Sequence, residues 1–203
     1  MKNALLVTVL SLLLAGCALT TERIDLTYAP QPGVSTIPGA NNVIVSVQVN
    51  DQRQERSNKV SYKKNGFGME MAPILANEDV TVTLRRAIEQ ELQSRGFSIG
   101  NEALVSILAD LTRFWNDHKT GFFAGDAVAD LNMSILVKNK NGNLLYSRQI
   151  LSQGVEPNTQ LMSGNNARLA LNRAIENGMK LLFEDHVFIA ALIDVSKKAP
   201  PNK

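Results

Sequence analysis

The chain has 203 residues, 44% of them hydrophobic and 20% charged, enough apolar material for one compact domain and too little charge for broad disorder. Its 21 Lys and Arg against 19 Asp and Glu leave a formal charge of +2, which argues against nucleic-acid binding through a broad basic surface. With two His and one Cys, most metal-centred and thiol chemistry is excluded, and no metal or other cofactor is expected.

The chain opens MKNALLVTVLSLLLAGC, with Lys2 ahead of an apolar run from Ala4 to Leu14. That pattern is a signal-peptide core, shorter than the ~20 residues that a lasting transmembrane helix needs. The sequence Leu14-Ala15-Gly16-Cys17 resembles the bacterial lipobox. The resemblance implies a signal peptide over 1–16, a diacylglycerol on the Cys17 thiol and acylation of the new amino terminus. Two or more acyl chains hold a protein stably on a membrane, at ~0.8 kcal/mol for each buried methylene. Ala18 stands where an Asp retains enteric-type lipoproteins in the inner membrane, so the expected location is the outer membrane, with the domain facing the periplasm.

Residues 17–42 carry Pro30, Pro32, Pro38, Gly33 and Gly39 without helical periodicity and read as anchor and tether. Fully extended, such a segment reaches about 80 Å at ~3.3 Å per residue. Ile24, Leu26 and Tyr28 alternate and could dock as an edge strand. The folded domain is expected over 43–195, followed by a disordered tail over 196–203. It begins with a half-buried strand in which Val43, Val45, Val47 and Val49 share a face. After Asp51-Gln52-Arg53, the Asn65-Gly66 turn predicts a hairpin between 59–63 and 68–71.

A helix is expected over 78–95, capped by Asn77, with Val80, Leu84, Ala87, Ile88 and Leu92 inward. Gly96 and Phe97 fit a Schellman ending. Three strands follow over 104–115, 127–138 and 144–153, the last two joined through Asn141-Gly142. A second amphipathic helix over 165–184 turns Leu171, Ile175, Met179 and Leu182 inward, and Asp185 is placed to cap a final helix. The expected fold is an α+β two-layer sandwich, with a mostly antiparallel sheet and two amphipathic helices on one face.

The lipobox, the valine strand ending in Asp51-Gln52-Arg53, the Lys59-Val60 strand with its Asn65-Gly66 turn, and the helix ending Gln93-Ser94-Arg95-Gly96-Phe97 together resemble the YajG-like bacterial lipoproteins. The order of elements matches from Cys17 to about Ile193; the aromatic segment around Trp115, Phe122 and Phe123 departs from that pattern. The resemblance implies a small outer-membrane lipoprotein facing the periplasm, and it supplies no catalytic residue.

A search for chemistry agrees. There is no GxSxG elbow, phosphate loop, HExxH or CxxC. His118 follows Asp117 on a strand, where successive side chains point to opposite faces, so the two cannot act as base and orienter. His186 sits at a helix junction. The chain is therefore expected not to be an enzyme.

Two surfaces remain as binding candidates. Arg53, Arg56, Lys59, Lys63 and Lys64 gather positive charge around the early hairpin, suited to anionic lipid, lipopolysaccharide or an acidic partner. Phe122 and Phe123 lie in a glycine-flanked connection; with Trp115 they either form an exposed contact surface or fold back into the core. The leading expectation is a membrane-anchored, non-enzymatic protein that binds another envelope component, most plausibly a protein, through a sheet edge or the Phe122-Phe123 loop. The alternative is a module that binds lipid or envelope polymer in an apolar cavity between helices and sheet, or in a charged groove using Arg53 and Lys59.

Overall fold

The computed structural model describes residues 20–65, 67–119, 125–159 and 163–198, with backbone only over 195–198. The strands are β1 (Glu22–Ile24), β2 (Ile44–Asp51), β3 (Lys59–Lys64), β4 (Glu70–Ala76), β5 (Ser98–Ile99), β6 (Val105–Lys119), β7 (Gly125–Asn139) and β8 (Leu144–Thr159). The helices are α1 (Val80–Ser94), α2 (Gly164–Phe183) and α3 (His186–Lys198).

The class is mixed α+β, but the expectation of one mostly antiparallel sheet is corrected. The strands divide into a small sheet ordered β1-β4-β3 and a large one ordered β5-β2-β6-β7-β8, the latter curled into a half-barrel. The valine strand β2 is parallel to both β5 and β6, because α1 intervenes and returns the chain to the same end of the sheet. Parallel neighbours need such a crossover, and valine spacing alone does not report it.

The meander β6-β7-β8 is antiparallel and longer than the alternation indicated, with strands of 15, 15 and 16 residues. A register shift between Leu111 and Arg113 reverses which residues of β6 face inward. Val105, Ile107, Ala109 and Leu111 are buried before it, and Phe114, Asn116 and His118 after it. One extra residue in a strand does this and bends the sheet.

Helix α1 ends as expected. Gly96 has φ +92°, its N–H donates to Gln93 O at 3.0 Å, the Phe97 N–H donates to Leu92 O at 3.0 Å, and Phe97 is buried. Its start differs by two residues: the cap is Asp79, which accepts from the Thr81 N–H at 2.8 Å. Asn77 instead donates to Asp25 at 2.6 Å and, through its backbone, to Ile24 O at 2.9 Å, holding β1. Asp185 caps α3, accepting from the Val187 N–H at 2.8 Å. It also accepts from the Tyr146 hydroxyl at 2.9 Å; burial and that bond push the tyrosine pKa up to about 12.

The stretch expected to serve as a tether is, from Glu22 onward, laid against the domain. β1 pairs in parallel with β4, Ile24 and Ala40 are buried, and Leu26, Tyr28 and Ile37 pack on the core. The anchor point is Glu91 on α1. Its carboxylate is fully buried, accepts from the Tyr28 hydroxyl and from the Gln31 N–H at 2.8 Å, and is paired with Arg95. The Arg95 guanidinium lies 4.6 Å from the centre of the Phe183 ring. Without that pairing a buried carboxylate would be strongly unfavourable.

Helix α2 covers the inner face of the meander at unusually short range. A Cβ added to Gly154 of β8 would lie 2.1 Å from Ala170 O and 2.4 Å from Ala174 N, both helix backbone, and one added to Gly178 would lie 3.0 Å from Leu131 and Ser152. Ser152 Oγ donates to Ala174 O at 2.8 Å. Packing between helix and sheet is closed here by backbone itself. Gly154→Ala is therefore expected to lower the free energy of unfolding by about 2–3 kcal/mol, read as the midpoint of urea denaturation. Gly164→Ala, whose new methyl meets only the flexible end of Glu22, should cost much less. Equal midpoints for the two variants would contradict this account of the helix-sheet contact.

Candidate functional site

Where β2 ends, β6 continues alone and the small sheet comes alongside it. The junction is made by side chains. Ser61 Oγ donates to Asn116 O at 2.8 Å, and Asn116 Nδ2 donates to Ser61 Oγ at 3.1 Å. Arg53 fills the space below them. Its guanidinium donates to both carboxylate oxygens of Asp51, at 2.9 and 2.8 Å, and to Ser57 O at 2.8 Å, with longer contacts to Lys59 O and Phe114 O. Only 7% of Arg53 is exposed. The Asp51-Gln52-Arg53 motif is thus a clamp: a fork-shaped cation satisfies carbonyls from both sheets while the carboxylate two residues earlier balances its charge.

Above this clamp opens a cleft of about 420 Å³, lined by Gln52, Arg53, Gln54, Glu55 and Lys59 on one side and Thr112 to Trp115 on the other. It brings together Arg53, Lys59 and Trp115 from the two candidate surfaces, while Arg56, Lys63 and Lys64 are not among its lining residues. Trp115 is half-buried and its ring centre stands 5.8 Å from that of Tyr62, at 60°. The Lys59 ammonium sits 4.7 Å from the Tyr62 ring centre, donates to its hydroxyl at 2.7 Å and pairs with Glu55. Arg113 is about half exposed and pairs with Asp130 at 2.9 Å.

Of the five basic residues expected to gather positive charge, four face acidic partners and Arg56 is exposed. Arg53 faces Asp51, Lys59 faces Glu55, Lys63 pairs with Glu22 at 3.0 Å, and Lys64 pairs with Asp117. Glu22 and Asp117 lie far away in sequence, which is why a count along the hairpin overstates its charge. Cys17, Phe122 and Phe123 lie outside the described residues.

His118 and Asp117 point to opposite faces of β6: the imidazole is buried and the carboxylate exposed. Burial pushes the imidazole pKa below its ordinary value, against the pull of the Asp117 charge and with a further push from Lys64, so the ring is neutral at pH 7. Its Nδ1 and the Asn116 Oδ1 are buried without hydrogen-bond partners. Among the described residues no group of three or more His, Cys, Asp or Glu is placed to hold a metal ion, and no described helix is long and apolar enough to cross a membrane. What the cleft offers is Trp115, packed on the neighbouring Tyr62, with the half-exposed Arg113 guanidinium and paired charges, a surface suited to contact and hydrogen bonding. Sequence reasoning missed Tyr62 and the Ser61-Asn116 junction, because each acquires its neighbour only when the small sheet meets β6, and Arg113, whose partner Asp130 comes from β7.

A family model described as uncharacterized lipoprotein matches residues 30–192. The chain is 23% identical over 194 residues to the uncharacterized lipoprotein YajG of Escherichia coli strain K12, covering 93% of this chain and 96% of that protein. The crystal structure of protein XCC0632 from Xanthomonas campestris superposes with a TM-score of 0.56 at 13% identity, covering 88% of this chain and 97% of that one, a likeness of fold.

The clamp makes a pH-dependent prediction. Burial alone would raise the Asp51 pKa, but the hydrogen bonds and charge of Arg53 outweigh it and hold the carboxyl below its ordinary value. The stabilisation is complete above the unfolded-state pKa, near 4, and is lost as pH falls through the lower folded-state value. Arg53→Met is expected to cost about 3 kcal/mol at pH 7, and the gap to wild type should narrow below about pH 4. Urea titrations at pH 7 and pH 2.5 that gave the same gap would rule out an ionic clamp.

Proposed function

The chain belongs to the uncharacterized lipoprotein family, and from that premise we propose that it is a non-enzymatic lipoprotein of the outer membrane. In this reading acylated Cys17 holds it to the bilayer, and its periplasmic domain binds another envelope protein through the cleft at Trp115. The observation that carries the reading is the aromatic pair Trp115 and Tyr62 beside the half-exposed Arg113. Trp, Tyr and Arg are the residue types that dominate binding energy at protein interfaces.

The paired charges support a protein partner over a polyanion. An incoming phosphate or sugar acid would have to displace Glu55 from Lys59 and Asp130 from Arg113. A polypeptide edge with its own donors and acceptors can bond to Gln52, Gln54 and Thr112 around the same rim without breaking those pairs.

Two measurements test this. A photocrosslinking amino acid at Trp115, in cells that retain Cys17, is expected to capture one discrete protein, while the same probe at Asn141, on the turn between β7 and β8, captures none. Lipid or glycan adducts, or equal capture at both positions, would overturn the protein-binding reading. Cys17→Ala should move the protein from the membrane to the soluble fraction; membrane retention without acyl mass would overturn the anchor.

A further inference from the structure

The turn between β3 and β4 presents apolar side chains to solvent that the fold does not use. Phe67 is 91% exposed, Met69 58% and Met71 37%. Among the described residues of the turn, Asn65 Oδ1 accepts from the N–H groups of both Phe67 and Met69 at 3.0 Å, and the Gly68 N–H donates to Asn65 O at 2.9 Å. Nothing in the architecture requires a phenylalanine at that tip, and large exposed apolar groups at one place mark a contact.

The register of β1 says with what. β1 runs parallel to β4, with Glu22 opposite Ile74 and Ile24 opposite Ala76. The N-terminal end of β1 therefore points towards the end of the small sheet where the β3–β4 turn lies. Glu22 itself is held there by Lys63 at 3.0 Å and sits against Gly164, at the start of α2. Cys17 stands five positions before Glu22, a reach of at most about 18 Å. Met69 likewise stands five positions before Ile74, so the same span of extended chain reaches the turn.

We propose that the β3–β4 turn is a second membrane contact, with Phe67 and Met69 entering the outer rim of the bilayer that holds the acyl chains of Cys17. This inference rests on the anchor reading given above. The short reach brings this end of the domain to the lipid surface and keeps the opposite end, with the turn at Asn141, away from it. An aromatic ring and a thioether at this turn suit the boundary between headgroups and acyl chains. The contact also fixes rotation about the anchor, which a single attachment at Cys17 leaves free.

The test uses the full acylated protein. Acylation occupies the Cys17 sulfur, so Phe67→Cys provides one free thiol for an environment-sensitive fluorophore, and Asn141→Cys provides the reference. Both are reconstituted in phosphatidylethanolamine–phosphatidylglycerol vesicles with and without nitroxide-labelled acyl chains. The probe at position 67 is expected to lose fluorescence roughly twofold or more to the nitroxide, consistent with a depth of about 5–10 Å, and the probe at 141 is expected to be unaffected. Equal quenching at the two positions, on protein that floats with the vesicles and whose mass carries the acyl chains, would overturn the second contact while leaving the anchor intact. An unmodified Cys17 by mass would remove the anchor reading, and the inference with it.

Discussion

The fold depends most on the approach of α2 to β8. At Gly154 the backbone of a strand and the backbone of a helix come close enough that a methyl group has no place between them, and Ser152 uses the proximity to donate to a helix carbonyl. Dispersion contacts are strongest where surfaces meet without gaps. From this contact α2 reaches the other elements. Asn177 donates to Gln153 O at 2.8 Å and Arg173 to Val155 O, covering part of the edge strand that would otherwise offer open carbonyls to another chain. Asn172 holds Thr27 through two hydrogen bonds, at 3.2 and 3.0 Å, and Phe183 lies under Arg95. Moving α2 outward by the width of a methyl group would disturb the N-terminal segment and α1 as well as the sheet.

Two buried ionic groups then fix what apolar packing leaves loose. Arg53 with Asp51 joins the two sheets, and Glu91 with Arg95 pins residues 28–31 to α1. Neither pair is efficient as a source of stability, since desolvation offsets most of the attraction. Their value is directional. A guanidinium that must satisfy carbonyls on two sheets permits one arrangement of those sheets, and a carboxylate that needs both Tyr28 and Gln31 permits one path for the segment carrying them.

Periodicity made much of this legible. The inward stripes of α1 and α2, the Schellman ending at Gly96, the turns at Asn65 and Asn141 and the cap at Asp185 all follow from local rules and are present. Less visible were features that depend on distant partners. The parallel pairing of β2 depends on where α1 returns the chain, and the bulge near Thr112 is one residue in an otherwise regular alternation. Gly154 looks in sequence like any strand glycine until a helix is placed against it. Glu91 lies four residues before Arg95, a spacing that permits a helix pair, but burial of that pair needs Tyr28 from 63 residues away. At the candidate site, Arg53, Lys59 and Trp115 were legible as residue types, whereas their meeting in one cleft was not.

The docked N-terminal segment changes how the domain can work. A free tether over residues 17–42 would let the domain search tens of ångströms around its attachment and meet partners far from it. With the chain laid down from Glu22 onward, four residues lie between Cys17 and the first strand, and under the proposed anchoring the domain would be confined to the bilayer surface. Its encounters are then with molecules in or on the same membrane, at the high effective concentration that confinement to a surface provides. A cleft on the flank of β6, set back along the strand from the end beside the β3–β4 turn, would face sideways under the proposed anchoring. A partner seated in the same bilayer can reach it without either molecule leaving the membrane.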